Sequence, residues 1–448
     1  MTSNVEIPLW LFVLVVLFAT VTFASHFLFP SVRWFFRRRL ERAVKKLNKR
    51  LTRPIEPFKL ARRHDMIQRI IYDPEVTRAI VTHARRNDVP ENVAFEKARR
   101  YAREIVPSFS AFAYFGFGTR AARWLANALY DVRTSANNTT IVKQIDPEAA
   151  VVFVMNHRSN MDYVLVTYLA ARASALSYAV GEWARVWPLS LLIKAMGAYF
   201  IRRKSRGQLY RKVLARYVQM ALQGGVTQAI FPEGGLSVNG RLMPLKMGLI
   251  SYAVDGFDPE ERDIVFVPVS INYDRVLEDR VLIAADQRGD RRFGARITVV
   301  MGAILRLLWS WVRRRYRKFG VASVAFGEPL SLASFDADGD IDQLAETLRS
   351  RINDVTPVLS VPLVSRVLLN AKAPLSQEDL VMHVQNVMPP NRTLGPTPTP
   401  DIARACRDME QRGMIKGSSK GWSMVPQERA LIQYYANSIP ELLSLIHI

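Results

Sequence analysis

The chain has 448 residues, of which 49% are hydrophobic, so it can bury a large core and is not a disordered polypeptide. Its formal net charge of +22 points to an anionic partner: membrane lipid, nucleic acid or an acidic substrate. The single cysteine, Cys406, excludes an intrachain disulfide and a cysteine zinc cluster.

The N-terminus carries the first signal. Ile7 to Phe29 is a stretch of 23 residues without a formal charge. As a helix rising 1.5 Å per residue it matches the roughly 30 Å hydrocarbon core of a bilayer. The leading MTSNVE lacks the basic start of a signal peptide, which favours a retained anchor. Arg33, Arg37, Arg38, Arg39, Arg42, Lys45, Lys46, Lys49, Arg50 and Arg53 follow closely. By the positive-inside rule this flank, and the chain beyond it, is expected on the cytoplasmic side of a single-pass anchor. The same basic run suits anionic headgroups, and the sequence leaves both roles open.

Four regions are expected: an anchor over 1–32, a basic juxtamembrane and helical region over 33–137, a central domain over 138–335 and a helical region over 336–448. Spacing of Ile67, Ile70 and Ile71, and of Ala122, Leu125 and Leu129, predicts helices in the second region. In the third, apolar runs at 150–155, 175–180, 227–231, 263–271, 297–302 and 321–326 alternate with helical stretches. This pattern predicts an α/β fold, with a mixed, largely parallel sheet flanked by helices. Ligand sites in such folds gather at the carboxyl ends of the strands. The segment 303–320 combines Leu, Trp and Tyr with clustered arginines, and reads either as an interfacial helix or as a core helix with a basic end. A Pro-rich break at 389–400 precedes a helix, turn and short hairpin around Gly417 to Gly421. A winged-helix-like module and a helical cap both fit that pattern.

The chemistry is concentrated after the first buried run. VMNHRSNMDYVL places His157 just past a predicted strand, with Asp162 five residues later as a helix begins. A hydroxyl is a poor nucleophile near neutral pH, and an imidazole can take its proton as a carbonyl is attacked. A carboxylate on the other ring nitrogen fixes the tautomer and stabilises the imidazolium. His157 is the only histidine between positions 84 and 382. GAYFIRR, ending in Arg202 and Arg203, FPEGGLSVNGRL and VPVSINYDRV each lie at or beside a predicted strand end, so the four segments can converge.

These four motifs, in this order, resemble those of the glycerolipid acyltransferase superfamily, and within it the glycerol-3-phosphate acyltransferases. They cover about 150–275, with a weaker likeness at QYYANSI near the end. The resemblance implies transfer of an acyl group from acyl-CoA or acyl-carrier protein to the sn-1 hydroxyl of glycerol-3-phosphate, with no cofactor or metal beyond that co-substrate. It makes His157 the general base and Asp162 its orienting partner. It gives Arg202 and Arg203 to the phosphate, whose oxygens match guanidinium forks. Glu233, Gly234 and Gly235 would shape the acceptor pocket, and Pro268 would line the acyl or acceptor channel. No serine sits in a nucleophile elbow, so no acyl-enzyme is implied. One departure stands out. Leu236 and Val238 follow the two glycines where relatives often carry a basic residue, leaving Arg241 or Lys246 to supply that charge. Lysophosphatidate and dihydroxyacetone phosphate are the alternative acceptors. A membrane-tethered nucleic-acid-binding protein is the non-enzyme alternative, but it leaves the four motifs unused.

Overall fold

The computed structural model describes residues 8–23, 29–134, 138–170, 174–181, 189–202, 207–289, 318–335, 340–387 and 401–440. It divides into two compact units, Met1–Pro54 and Ile55–Ile448.

The first unit contains the helices Leu9–Phe23 and Phe29–Asn48. The former bears no charge, and its large side chains from Leu9 to Phe18 are exposed. On the latter, Arg38, Arg39, Arg42, Lys45 and Lys46 are exposed. Of the expected 23-residue span, residues 7 and 24–28 lie outside the described residues. The described part of the apolar helix, Leu9–Phe23, has 15 residues, about 22 Å at the helical rise. Among the described residues no helix is long and apolar enough to cross a membrane.

The second unit is built on an eight-stranded sheet. Its strands are β1 (Asp131–Thr134), β2 (Ala150–Met155), β3 (Ser177–Gly181), β4 (Tyr199–Ile201), β5 (Gln228–Ile230), β6 (Ile264–Tyr273), β7 (Val321–Phe326) and β8 (Leu330–Ser331). The order is β1-β7-β6-β2-β5-β3-β4, with β8 also paired to β6. From β6 to β4 every pairing is parallel, while β7 and β8 run antiparallel to β6. The sheet is therefore mixed and largely parallel, as expected. β2 and β6 are buried along their whole lengths, which is why they read as continuous apolar runs rather than alternating ones. The expected run at 297–302 and the 303–317 part of the arginine-rich segment lie outside the described residues.

Pro268 sits inside β6 opposite Val154 of β2. Its carbonyl accepts from Gly327 N at 2.8 Å, so its donorless nitrogen faces the break between β7 and β8. A proline is tolerated there because no ladder bond is required of it.

One face of the sheet is covered by the helices Arg63–Ile71, Pro74–Arg86, Glu91–Ile105 and Gln208–Gln223. Ile67, Ile70 and Ile71 are buried there, and Ala94, Ala98 and Ala102 form a stripe that lets the helices approach closely. Toward the C-terminus, the helices Ser360–Asn370 and Arg429–Ala436 pack against each other. The helix Ile402–Gln411 leads into a hairpin of β9 (Ile415–Ser418) and β10 (Gly421–Met424).

The parallel arrangement brings the carboxyl ends of β2, β3, β4, β5 and β6 to one edge, where the sequence motifs begin. Phe266 is fully buried between β2 and β8. Phe266→Ala is expected to cost about 3–5 kcal/mol, read as a lower urea midpoint; an unchanged midpoint would contradict this account of the core.

Candidate active site

The loop after β2 is anchored by Asn156. Its side chain donates to Ile271 O at 3.0 Å and accepts from Ile271 N at 2.8 Å, tying the loop to β6. His157 and Asp162 follow, both buried. His157 Nδ1 lies 2.9 Å from Asp162 Oδ2. The same oxygen accepts the backbone N–H groups of Arg158 at 2.7 Å and Ser159 at 3.0 Å. The Tyr273 hydroxyl donates to the other oxygen, Oδ1, at 2.5 Å. Asp162 is acceptor-only when ionised, so Nδ1 is assigned the imidazole proton and Nε2 is left as the basic atom. The ring stacks on Phe231 with centroids 4.3 Å apart.

The third motif grips the backbone of this histidine. Glu233 Oε1 accepts from His157 N at 2.7 Å and its Oε2 from Met243 N at 2.9 Å. Ser237 N donates to His157 O at 2.9 Å. Burial pushes the Glu233 carboxyl up to about 7, against the opposing pull of the Arg158 charge and the two N–H groups. The Glu233 side chain thus ties the His157 loop to its own loop, and Gly235 lies in the same half-buried turn. Gly234 has φ +72°, and a Cβ there would meet Lys246 Cδ and Nζ at 2.9 Å. Lys246 therefore crosses the motif and brings a cation to the place where Leu236 and Val238 offer none.

Arg202 stands at the carboxyl end of β4. Its Nε and Nη2 donate to Glu104 at 2.8 and 2.6 Å, and its guanidinium lies 5.2 Å from the Tyr101 ring centroid. The bond to Glu104 raises its already high pKa. Among the described residues Nη1 makes no hydrogen bond, on a side chain that is 32% exposed. Arg203 lies outside the described residues. Pro268 is a buried strand residue, packed beside Gly327.

Two further residues shape the loop. Tyr273 ends β6, within the fourth motif. Glu278 accepts from Ser159 Oγ at 2.8 Å and from Asn160 N and Nδ2 at 3.2 and 3.0 Å. Burial raises the Glu278 carboxyl, and these bonds offset the effect. A polar tail on an otherwise apolar strand was the available signal for Tyr273; nothing in the sequence marks Glu278. Among the described residues no three of His, Cys, Asp and Glu stand close enough to share a metal ion.

If His157 is the base, His157→Ala is expected to lower kcat roughly 100- to 10,000-fold in a folded protein. Tyr273→Phe removes one bond to a charged acceptor, and is expected to lower kcat on the order of tenfold. Steady-state kinetics beside a thermal melt check both, and near-normal turnover of folded His157→Ala would remove the base.

Two family models match the chain: "Acyltransferase" over residues 136–272 and "Glycerol-3-phosphate acyltransferase C-terminal region" over 304–445. Similar curated proteins include the glycerol-3-phosphate acyltransferases of Pseudomonas syringae pv. tomato, 30% identical over 63% of this chain and 33% of that one, and of Pseudomonas fluorescens, 26% identical over 86% of this chain and 49% of that one. That of Pasteurella multocida is 26% identical over 86% of this chain and 51% of that one. The chain spans about half the length, or less, of these curated relatives. A solved 1-acyl-sn-glycerophosphate acyltransferase from Thermotoga maritima aligns at 19% identity and a TM-score of 0.33, over 57% of this chain and 80% of that one, a likeness too slight to weigh. With both models matched along the chain and the relatives in agreement, the chain belongs to the glycerol-3-phosphate acyltransferase family.

Proposed function

We propose that this chain transfers an acyl group from an acyl thioester to the sn-1 hydroxyl of glycerol-3-phosphate, giving lysophosphatidate, the first step of phospholipid synthesis. The observation that carries the reading is the His157–Asp162 pair, 2.9 Å apart at the carboxyl edge of a parallel sheet, with its carboxylate bonded on both oxygens. His157 Nε2 takes the proton of the hydroxyl as the oxygen attacks the thioester carbonyl. The tetrahedral adduct collapses, the C–S bond breaks, and the departing thiolate takes the proton back from the imidazolium. No covalent acyl-enzyme is needed. Cys406 is buried in its helix, and burial pushes its thiol up to about 12, far from a reactive thiolate.

The acceptor's phosphate needs cationic partners. Glu104 orients Arg202 and leaves its Nη1 edge for the phosphate; Arg203 follows in sequence. Lys246, lying over Gly234, is the third cation. Gly235 gives the acceptor close access to the backbone of the turn. The donor is acyl-CoA or acyl-carrier protein, both anionic. Lysophosphatidate and dihydroxyacetone phosphate are alternative acceptors for the same chemistry.

Membrane association is part of the reading. An exposed apolar helix followed by a basic one suits an anionic bilayer surface, with the basic flank and the catalytic unit on the cytoplasmic side.

A purified-protein assay crossing each donor with the three acceptors tests the function; absence of acyl-glycerol-3-phosphate with every donor would refute it. Arg202→Ala and Lys246→Ala are each expected to raise the KM for glycerol-3-phosphate on the order of tenfold, with the donor KM little changed. An unchanged acceptor KM in both would move the phosphate elsewhere.

A further inference from the structure

We propose that the C-terminal segment Tyr434–Ile439 is a positioning element of the active site, and that Arg158 is the residue through which it acts. The inference rests on the acyl-transfer reading for its kinetic test alone.

Arg158 follows His157 directly and is 3% exposed. Its guanidinium meets no carboxylate at ion-pair distance among the described residues. Instead Nη1 donates to Gly240 O in the third-motif loop, and Nη2 donates to Ser438 O at 3.1 Å. A buried cation is costly unless it is solvated by the protein. Here two carbonyls from segments nearly 200 residues apart do so. Arg158 therefore clips three pieces together: the loop carrying His157, the loop after β5 and the end of the chain's last described helix.

The segment is fastened at several further points. Asn437 Nδ2 donates to Asn239 O at 2.9 Å, and Asn272 Nδ2 donates to Ser438 O at 3.2 Å. Gly240, at φ +80°, lies so close to Tyr434 O that a Cβ would overlap it. The Tyr435 hydroxyl donates to Asp279 Oδ2 at 2.6 Å and accepts from Val276 N at 3.0 Å. Arg366 holds the segment from behind, donating to Ala436 O and Ile439 O. Apart from the Arg366 bonds, these contacts fall at the end of β6 or on the residues that follow β2, β5 and β6, the strands whose carboxyl ends bear His157, Glu233 and Tyr273.

The clip also places a positive charge beside Glu233. The charged groups acting on that carboxylate are Arg158 and Asp162 from the His157 loop, while Lys246 lies over the neighbouring Gly234. Asp162 raises it and Arg158 lowers it. An ionised Glu233 accepts both the His157 and Met243 N–H groups; protonation converts one acceptor into a donor and loosens that grip. Removing the Arg158 charge stabilises the protonated form, so the loss sets in at higher pH.

The test uses the full chain with Arg158→Gln, Arg158→Lys, Asn437→Ala and Tyr435→Phe, in rate profiles against pH, thermal melts and infrared titration of the Glu233 carboxyl band, assigned by its loss in Glu233→Gln. Arg158→Gln is expected to lower kcat by about tenfold, with both KM values little changed, and to move the acid limb and the carboxyl band to higher pH. Arg158→Lys is expected to restore the acid limb but only part of kcat, because one ammonium cannot span both carbonyls as the fork does. Asn437→Ala and Tyr435→Phe are expected to lower kcat without moving KM. A folded Arg158→Gln protein that melts lower yet keeps kcat and its acid limb would overturn the proposal. If Arg158→Gln does not fold, the Arg158→Lys and Asn437→Ala proteins decide it by the same kinetic criteria. Should the unaltered protein transfer no acyl group, the acyl-transfer reading fails, and the position of the carboxyl band in Arg158→Gln or Arg158→Lys alone decides this one.

Discussion

The Asp162 carboxylate is the constraint on which the site depends. A buried carboxylate is stable only when its lone pairs are met, and here an imidazole, two backbone N–H groups and a tyrosine hydroxyl meet them. Each of those donors belongs to something that must be in place first. The N–H groups require the turn through Arg158 and Ser159, which Glu278 holds from the far side. The hydroxyl requires β6 to be in register with β2, which Asn156 secures by its paired bonds to Ile271. One carboxylate therefore couples the loop, the turn and the sheet, and the imidazole of His157 is oriented without a rigid scaffold of its own.

The sheet contributes direction rather than chemistry. Five parallel strands present their carboxyl ends at one edge, so loops distant in sequence meet without long detours. The antiparallel strands β7 and β8 close the other side of β6, and the break between them is where Pro268 fits. Its place in the fourth motif is thus explained by strand pairing, whichever substrate lies nearby.

Much of this was legible in the residues because burial on both faces leaves a plain apolar signature. β2, β5, β6 and β7 announce themselves that way. β1, β4 and β8 are two to four residues long and carry too little pattern to be read. The N-terminal apolar stretch was legible by composition alone, and the described helix Leu9–Phe23 falls within it. The motif residues were visible, but their partners were not. Glu104 lies 98 positions before Arg202, and Ser438 lies 280 after Arg158. No local rule links residues so far apart. Glu233 reads as a pocket residue by its motif, and only its bond to His157 N reveals that it faces the loop.

That last separation has a consequence for how the chain comes into being. A polypeptide emerges from its N-terminus, and long-range contacts form only after both parts exist. The sheet and the histidine loop can condense before the Tyr434–Ile439 segment is made, but the guanidinium of Arg158 must wait for Ser438 O. Until then it is a cation with one of its two carbonyls missing, best accommodated by water. The nascent domain is therefore expected to keep its His157 loop hydrated and loose until the Tyr434–Ile439 segment docks.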